Sequence, residues 1–585
     1  MPFLNIPVEL FENIISLLPV SDLVTLTQVS KLLNAAIVPR LYAHTVLKLD
    51  SIECVPLKED PPNYEVWLEA LKGLVSNTQN QCSSVRKLTI CGEFAFGENT
   101  SKDIMHHTKN VSRSPDIQAP IPEFVNCLLE MAVPQMTGLI DVEWHSGIRP
   151  SIKLFRALAT QPLRSLSFNA GLMLCYYHYQ NAHCHVSLKF SELDFSRVTS
   201  LHFFNLYDLE SIEAVSRVIF QARNHLKDLR LHFSRPLIAV ETRDLPLANV
   251  LHLLCDELEK AEQPLQLQKL GIYACGRTVL ADLFQFFDFS SIKDFSFVPK
   301  MCRRRVDLSI WNELRQRGIK FSSLMTDQAG EGMDAYFSSF EGLRKLFLQY
   351  VSSDLAVSPL CAQHWSTLRT IFLPPGQHTM HDVPIIIRNC PRLEELGMVL
   401  YTASMRDLFK ILDHSHNLKS IFIYNSYARP NLTGLGTEMS AKVFIKKFVD
   451  FFACSARRQN PQNLSTFYHR LEKLSFHDAL WEMTSTSMDP IEGSAYDFIS
   501  RHNHPRQLRV HDTSIIPAIK VENRRVLRDF KSRGVTLLPI RVPWTRYRGD
   551  NTIERLIDYL VNEHEGRTYY PYIQANRFVE PRLRY

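Results

Sequence analysis

One short pattern recurs along most of the chain: an apolar residue, two variable residues, an apolar residue, one variable residue and a third apolar residue. Its last three positions alternate apolar and polar, which is the periodicity of a β-strand with one buried face. The pattern therefore predicts a strand at each copy. The copies are Val85/Leu88/Ile90, Leu139/Val142/Trp144, Leu163/Leu166/Phe168, Val198/Leu201/Phe203, Leu226/Leu229/Leu231, Leu267/Leu270/Ile272, Ile292/Phe295/Phe297, Leu343/Leu346/Leu348, Leu368/Ile371/Leu373, Leu393/Leu396/Met398, Leu418/Ile421/Ile423 and Leu471/Leu474/Phe476, with a weaker one at Phe321/Leu324.

The spacing of the copies is typical of a leucine-rich repeat. Leu343, Leu368, Leu393 and Leu418 are each 25 residues apart, which lies within the range of that repeat class. We therefore expect an α/β fold: an irregular solenoid with parallel strands on the concave face and helices on the convex face, preceded by a small helical domain. A generic α/β domain with Leu-rich strands is the alternative, and the equal intervals disfavour it. Amphipathic helices are predicted at 124–132, 152–159, 209–222, 248–261 and 405–412.

Polar stretches interrupt the array and set the expected domain boundaries. Residues 97–120 are rich in Ser, Asn, His and Lys, and residues 454–466 contain a run of Arg, Gln and Asn, so both are predicted insertions. We expect a helical domain at 1–45, the solenoid at 46–540 and a C-terminal cap or tail at 541–585. The aromatic and basic residues of that tail are typical of either an end cap or a substrate contact.

The first 45 residues predict three short helices. An apolar stripe at helical spacing runs from Leu10 to Leu18, and Pro19 ends that helix. Ser21 and Ser30 are candidate N-caps for the second and third helices. A unit of this size rarely has a self-sufficient core. The dense apolar surface therefore predicts a partner protein.

The N-terminal segment resembles an F-box, and the resemblance covers residues 3–45. The matching residues are Pro7, Glu9, Leu10, Ile14, Leu18, Pro19, Asp22, Leu23, Leu26, Val29, Ser30, Lys31, Pro39, Leu41 and Tyr42. The resemblance implies docking onto the Skp adaptor of cullin-RING ubiquitin ligases. It implies adaptor contacts at Pro7, Leu10, Ile14, Leu18, Leu23, Val29, Leu33, Pro39, Leu41 and Tyr42. The alternative is an ordinary helical cap on the rest of the chain, which so many matching positions at fixed spacing disfavour.

Composition narrows the partners and the compartment. The net charge of +5 is small for 585 residues, so neither nucleic acid nor a membrane is expected as a partner. The sequence shows no leader pattern and no apolar run long enough to span a bilayer. The 12 cysteines are scattered singly, which is typical of reduced thiols. We expect an intracellular protein, cytoplasmic, nuclear or both.

No catalytic motif is present. The sequence lacks a Gly-rich phosphate loop, a Gly-x-Ser-x-Gly elbow and a His-Glu-x-x-His helix, so we expect a non-catalytic protein without cofactor. One cluster combines zinc-ligand residue types: Cys175, His178, His183, Cys184 and His185. Its spacing matches no familiar zinc motif, and the flanking tyrosines favour a β-hairpin. We therefore predict no metal site.

Charged residues in the variable repeat positions are candidates for contact with a target protein. They are Lys227, Asp228, Arg230, Arg344, Lys345, Glu394, Glu395 and Lys419. Separate basic clusters at 303–305, 446–447, 457–458 and 524–528 indicate either recognition of an acidic or phosphorylated partner or simply a solvated surface.

The resemblance and the array together imply a substrate-recognition subunit of an SCF-type ubiquitin ligase. In this hypothesis the F-box binds the Skp-family adaptor, and through it a cullin, while the repeats bind an unidentified protein substrate. Two alternatives stay open: an adaptor-bound scaffold without ligase activity, and a repeat-based binding module without an adaptor.

Overall fold

The chain folds into two compact units in the computed structural model. Unit 1 comprises 1–237, 253–262 and 491–513, and unit 2 comprises 238–252, 263–490 and 514–585. The predicted boundaries at 45 and 540 stay predictions. The structure describes residues 7, 10–11, 14–15, 18, 20–48, 75–76, 81–92, 120–146, 150–169, 194–206, 209–233, 264–273, 280–298, 309–327, 332–348, 356–373, 379–400, 405–415, 417–425, 444–452, 470–476, 479–485, 507–508 and 537–542.

Unit 1 begins with helices. Helical residues 10–11 and 14–15 precede α1 (Val20–Val29) and α2 (Lys31–Tyr42). The Ser30 hydroxyl accepts a hydrogen bond from the Leu33 amide at 3.1 Å, so the predicted N-cap of the third helix is confirmed. Ser21 lies inside the first turn of α1, because this helix already begins at Val20.

Among its described residues, the rest of unit 1 contains a parallel sheet and three α-helices. Its strand order is β16–β1–β2–β3–β4–β5–β6, and every adjacent pair is parallel. The strands are β1 (His44–Lys48), β2 (Lys87–Gly92), β3 (Asp141–Ser146), β4 (Ser165–Asn169), β5 (Ser200–Leu206), β6 (Asp228–Phe233) and β16 (Gln507–Leu508). The helices are α3 (Pro120–Ala132), α4 (Ile152–Ala159) and α5 (Leu209–Ala222).

Unit 2 repeats the alternation of strand and helix. Strands β7 to β14 are parallel in chain order, whereas β15 pairs antiparallel with β14 and β17. The strands are β7 (Lys269–Tyr273), β8 (Asp294–Val298), β9 (Ser323–Thr326), β10 (Lys345–Leu348), β11 (Thr370–Leu373), β12 (Glu395–Leu400), β13 (Ser420–Asn425), β14 (Lys473–Phe476), β15 (Ala479–Ser485) and β17 (Leu537–Val542). The helices are α6 (Leu280–Phe286), α7 (Ser309–Gln316), α8 (Met333–Phe337), α9 (Val357–Leu360), α10 (Thr379–Asn389) and α11 (Met405–Asp413), followed by helical residues 444–452.

These elements confirm the strand predictions and an α/β, solenoid-like arrangement. Every predicted apolar triple supplies a strand, and the helices predicted at 152–159 and 209–222 have the observed bounds. The predicted helix at 248–261, the insertions near 97–120 and 454–466, the hairpin around 175–185 and nearly all of the 541–585 tail lie outside the described residues. The repeat class itself stays a prediction.

One backbone feature sets the register of both units. At the start of each strand, a single carbonyl oxygen accepts hydrogen bonds from two consecutive amides of the next strand, at 2.7–3.1 Å. The accepting residues therefore form a row along one edge of each sheet, with one accepting residue at the start of each strand in the row. They are Ala43, Arg86, Ile140, Arg164 and Thr199 in unit 1, and Gln268, Lys293, Ser322, Arg344, Arg369, Glu394 and Lys419 in unit 2.

The apolar triples face the helices and form the core. Phe168 of β4 lies 5.4 Å, between ring centroids, from Phe155 of α4. In unit 2, the Phe476 ring of β14 stacks on Phe444 at 4.2 Å. Because side chains alternate across a strand, the residues between the apolar positions point to the opposite sheet face. The variable residues within the strands therefore lie on the sheet face that points away from the helices.

An aromatic cluster in unit 2 encloses a buried histidine. The His364 ring centroid lies 4.8 Å from that of Phe340 and 5.9 Å from that of Phe337. The His364 ring is fully buried, and an interaction with the Phe337 backbone only partly offsets the effect of this burial on the pKa of the ring. Burial lowers the pKa of His364 to about 4, because the apolar rings cannot solvate an imidazolium.

We predict that His364 makes the stability of unit 2 depend on pH. Between about pH 6.5 and 4, the unfolded state binds a proton that the native state excludes. The free energy of unfolding should therefore fall as the pH falls through this window, by about 3 kcal/mol at most. Urea unfolding at several pH values measures this, and His364→Phe should flatten the dependence. The exposed His414→Gln serves as control; an equal effect of both substitutions would contradict the prediction.

Candidate interaction surfaces

The N-terminal helices share a small core. Ile15, Leu23, Ile37 and Leu41 are its buried members. The Asn34 side-chain amide donates to the Thr27 carbonyl at 3.2 Å and so ties α2 to α1. Partly buried apolar side chains complete this core: Phe11, Leu18, Val24, Leu26, Leu33 and Tyr42.

Several apolar side chains of the same helices point into solvent. The exposed fractions are 54% for Leu10, 45% for Ile14, 66% for Val29 and 59% for Leu32. We call these four residues the N-terminal apolar surface. Leaving four large apolar side chains hydrated on so small a unit is unfavourable. The surface is therefore suited to burial against another protein.

The predicted adaptor contacts fall into three groups. Pro7, Leu10, Ile14, Val29 and Pro39 are exposed. Partly buried positions are Leu18, Leu33 and Tyr42. The remaining two, Leu23 and Leu41, are only 5% and 3% exposed because they pack in the core. Their contact with an adaptor stays a prediction.

Sequence reasoning missed Leu32. The buried stripe of α2 runs through Ile37 and Leu41, four residues apart, and Leu33 continues it toward the helix start. Leu32 lies one position off that stripe and is therefore exposed. The sequence signal for Leu32 is an apolar residue that lies outside the helical stripe formed by Leu33, Ile37 and Leu41.

The N-terminal helices join the sheet of unit 1 without a linker. The α2 helix ends at Tyr42, and β1 begins at His44. The Ala43 carbonyl accepts the amides of Arg86 and Lys87, both at 2.8 Å. The Thr45 hydroxyl donates to the Tyr42 carbonyl at 3.1 Å. These bonds hold the end of α2 against the first two strands.

The sheet face of unit 1 that points away from the helices carries a charged network. The Lys87 ammonium lies 2.6 Å from Glu143 and 3.6 Å from Asp141. Burial raises the pKa of Asp141, although Lys87 opposes this effect. Burial alone would lower the pKa of Lys87, but the two carboxylates more than offset it and the pKa is raised. The Thr89 hydroxyl donates to Glu143 at 3.0 Å.

A second network occupies strands β5 and β6. The Arg230 guanidinium donates to both carboxylate oxygens of Asp228, at 3.2 and 3.3 Å. The His202 Nε2 atom lies 3.3 Å from Asp228 and 3.2 Å from the Ser200 hydroxyl. In a hydrolase triad one ring nitrogen faces the serine and the other donates to the aspartate; here both contacts use Nε2, so these residues do not have the geometry of a triad. The network is structural.

This pairing bears on one predicted substrate contact, which itself stays a prediction. Arg230 was expected to face solvent, but its side chain is only 4% exposed. Its guanidinium lies along the sheet face, where Asp228 neutralises it. Lys227, just before the strand, is exposed as expected.

The corresponding face of unit 2 is divided differently. Its middle row is apolar and buried, with Met325, Phe347 and Phe372 on neighbouring strands and Phe422 two strands further on, beyond Gly397 of β12. Charge is concentrated at the strand starts. The candidates Arg344, Lys345 and Lys419 are exposed there, and Glu394 and Glu395 are half-buried.

In unit 2, only some of these charged side chains lie close to a side chain of opposite charge. Glu394 lies 3.6 Å from Arg369 and 3.7 Å from Lys419, and Glu395 accepts from the Thr370 hydroxyl at 2.9 Å. The sheet surfaces thus differ in kind: paired charges in unit 1, and a strongly charged edge in unit 2.

The described residues offer little for catalysis. Burial raises the pKa of Cys82 to about 11 and that of Cys390 to about 12, so these thiols are poor nucleophiles. No group of three or more His, Cys, Asp or Glu side chains within the described ranges could hold a metal ion. The cluster at 175–185 lies outside them. No helix in the described part of the chain is both long and apolar enough to cross a membrane.

Comparison with known families identifies the N-terminal helices. The F-box domain model matches residues 3–38. The matched segment includes the whole N-terminal apolar surface and three of the four buried core residues, all except Leu41. None of the curated proteins matches the chain.

We predict that Asp228 stabilises unit 1 by neutralising Arg230. Asp228→Ala should lower the free energy of unfolding by about 3 kcal/mol, because a buried guanidinium loses its counter-charge. The adjacent exposed Lys227→Ala should change it by less than about 0.5 kcal/mol. Chemical denaturation of both variants measures this. Equal unfolding midpoints for Asp228→Ala and the wild type would contradict the structural role of the pair.

Proposed function

We propose that this protein is the substrate-recognition subunit of an SCF-type ubiquitin ligase. F-box domains generally bind Skp-type adaptors, and F-box proteins are typically non-catalytic substrate receptors. The observation that carries the proposal is the N-terminal apolar surface: a segment matched as an F-box leaves Leu10, Ile14, Val29 and Leu32 exposed.

The energetics favour adaptor docking through this surface. Full burial of a Leu, Ile or Val side chain contributes about 1.5–3 kcal/mol. Four such side chains supply apolar area of the kind found in the buried core of a protein interface. The Ile15, Leu23, Ile37 and Leu41 core fixes the helices that present them, so little ordering is required on binding.

The function of the whole chain is then positional. The direct junction between α2 and β1 fixes the adaptor-binding helices to the sheet of unit 1. A target protein held by the same chain would stay close to the adaptor, and through it to the cullin. This raises the effective concentration of a target lysine near the ubiquitin-conjugating enzyme.

We predict that adaptor binding depends on exposed F-box residues. On co-expression with a Skp adaptor, the wild type should elute as a one-to-one complex in size-exclusion chromatography. Leu10→Ala with Val29→Ala should abolish the complex and leave thermal unfolding unchanged, because both side chains are exposed. The control is Phe124→Ala with Met131→Ala, which truncates two large apolar residues of α3 that are also exposed, at 43% and 53%, and should retain the complex.

Other outcomes separate the alternatives. A wild-type protein that remains monomeric beside the adaptor would leave only a repeat-based binding module. A complex that recovers adaptor but no cullin from cells would favour the scaffold. Leu41→Ala, in the core, should lose the complex together with about 2–5 kcal/mol of stability, which distinguishes unfolding from loss of contact.

A further inference from the structure

Four cations lie close together where the strands β8 to β11 of unit 2 start. Lys293, Arg344, Lys345 and Arg369 are all exposed, and we call them the basic edge. The shared carbonyl bonds place Lys293, Ser322, Arg344 and Arg369 on successive strands. Neighbouring strands are about 4.8 Å apart, so the basic edge is about 14 Å long.

The basic edge has few internal counter-charges. Asp294 accepts a hydrogen bond from the Ser322 hydroxyl at 3.2 Å, and Glu394 is shared between Arg369 and Lys419. Within the described residues, no carboxylate forms an ion pair with Lys293, Arg344 or Lys345. The networks of unit 1 differ, because there each cation meets a carboxylate of a neighbouring strand or of its own strand.

This arrangement is electrostatically unfavourable in isolation. Arg344 and Arg369 start adjacent strands, and like charges at neighbouring strand positions are destabilising. Lys345 adds a third positive charge beside them. An anionic ligand would relieve this repulsion and gain charge-assisted hydrogen bonds from the two guanidinium groups.

The neighbouring strand limits where such a ligand can lie. Glu394 and Glu395, at the start of β12, reverse the sign of the surface next to Arg369. A ligand rich in negative charge would therefore extend from Arg369 toward Lys293 and not across β12. At about 3.3 Å per residue, an extended segment of about four or five residues covers this distance.

We propose that the basic edge binds a short segment of a target protein that is rich in Asp and Glu. The proposal rests on the function proposed above, because it assigns a substrate class to unit 2 of the receptor. The carboxylates of the segment pair with Arg344, Lys345 and Lys293, which have no acidic partner among the described side chains.

The test measures binding of a fluorescein-labelled peptide of alternating Asp and Glu to the full-length chain, by fluorescence anisotropy. The wild type should bind the peptide, and more weakly as salt screens the contact. Arg344→Glu with Lys345→Glu should weaken binding about tenfold or more, since loss of attraction is joined by repulsion. Arg344→Lys with Lys345→Arg keeps the charge and should retain binding.

A matched control separates this edge from the general charge of the protein. Lys446→Glu with Lys447→Glu makes the same charge change at two exposed positions of the helical segment 444–452, and should alter affinity less than about twofold. Thermal unfolding checks the fold, and the Arg344/Lys345 reversal should not lower the melting temperature because it places a carboxylate beside Arg369.

Three results would overturn the proposal: no peptide binding by the wild type, equal losses in the two double variants, or tighter binding of an oligothymidylate with the same number of charges. Co-purification with the Skp adaptor should be unaffected by the Arg344/Lys345 reversal. If the wild-type protein binds the peptide but does not bind the Skp adaptor, this result would contradict the function proposed above and leave the peptide site of the basic edge standing.

Discussion

The shared carbonyl at each strand start is the constraint on which both sheets depend. One oxygen accepts two consecutive amides of the next strand, from Ala43 to Thr199 in unit 1 and from Gln268 to Lys419 in unit 2. This geometry fixes the register, and register decides which side chains become neighbours. The Lys87–Glu143 pair between β2 and β3, the His202–Asp228 contact between β5 and β6, and the row of exposed cations in unit 2 all follow from it. The surface chemistry of the protein is therefore set by backbone bonding.

Local patterns predicted most of the fold because the relevant contacts are local. An apolar triple such as Leu393/Leu396/Met398 identifies a strand at any point along the chain, because the same three apolar positions are buried in each copy. The bounds of α4 and α5 follow from their amphipathic spacing. Strand β1 was missed because Thr45, Val46 and Leu47 are all buried and show no alternation. Strand β17 contains Pro539 and pairs with β15 from far along the chain, which no local pattern indicates.

The interaction surfaces were only partly predictable. F-box spacing identified Leu10, Ile14 and Val29, which are exposed, but it could not separate them from Leu23 and Leu41, which pack inside. Arg230 and Arg344 were both predicted as substrate contacts because both are charged residues in variable repeat positions, yet one is buried and the other exposed. Arg230 lies inside β6, between two buried apolar residues, and packs against Asp228 of its own strand and His202 of β5, whereas Arg344 directly precedes β10 at the edge of the sheet. Sequence patterns predict where a charged residue lies in its repeat, but only the assembled sheet shows which side chains surround it.

The pairing of β1 has a consequence for synthesis on the ribosome. On one side β1 pairs with β2, within about 45 residues, but on the other Val46 pairs with Gln507, roughly 460 residues later. At about 5–20 residues per second, the outer edge of β1 waits about 20 to 90 seconds for its partner to be translated. During that time the nascent protein presents an unpaired strand edge beside its F-box, a template for aggregation. An early-binding adaptor or chaperone would shield the newborn chain through this interval.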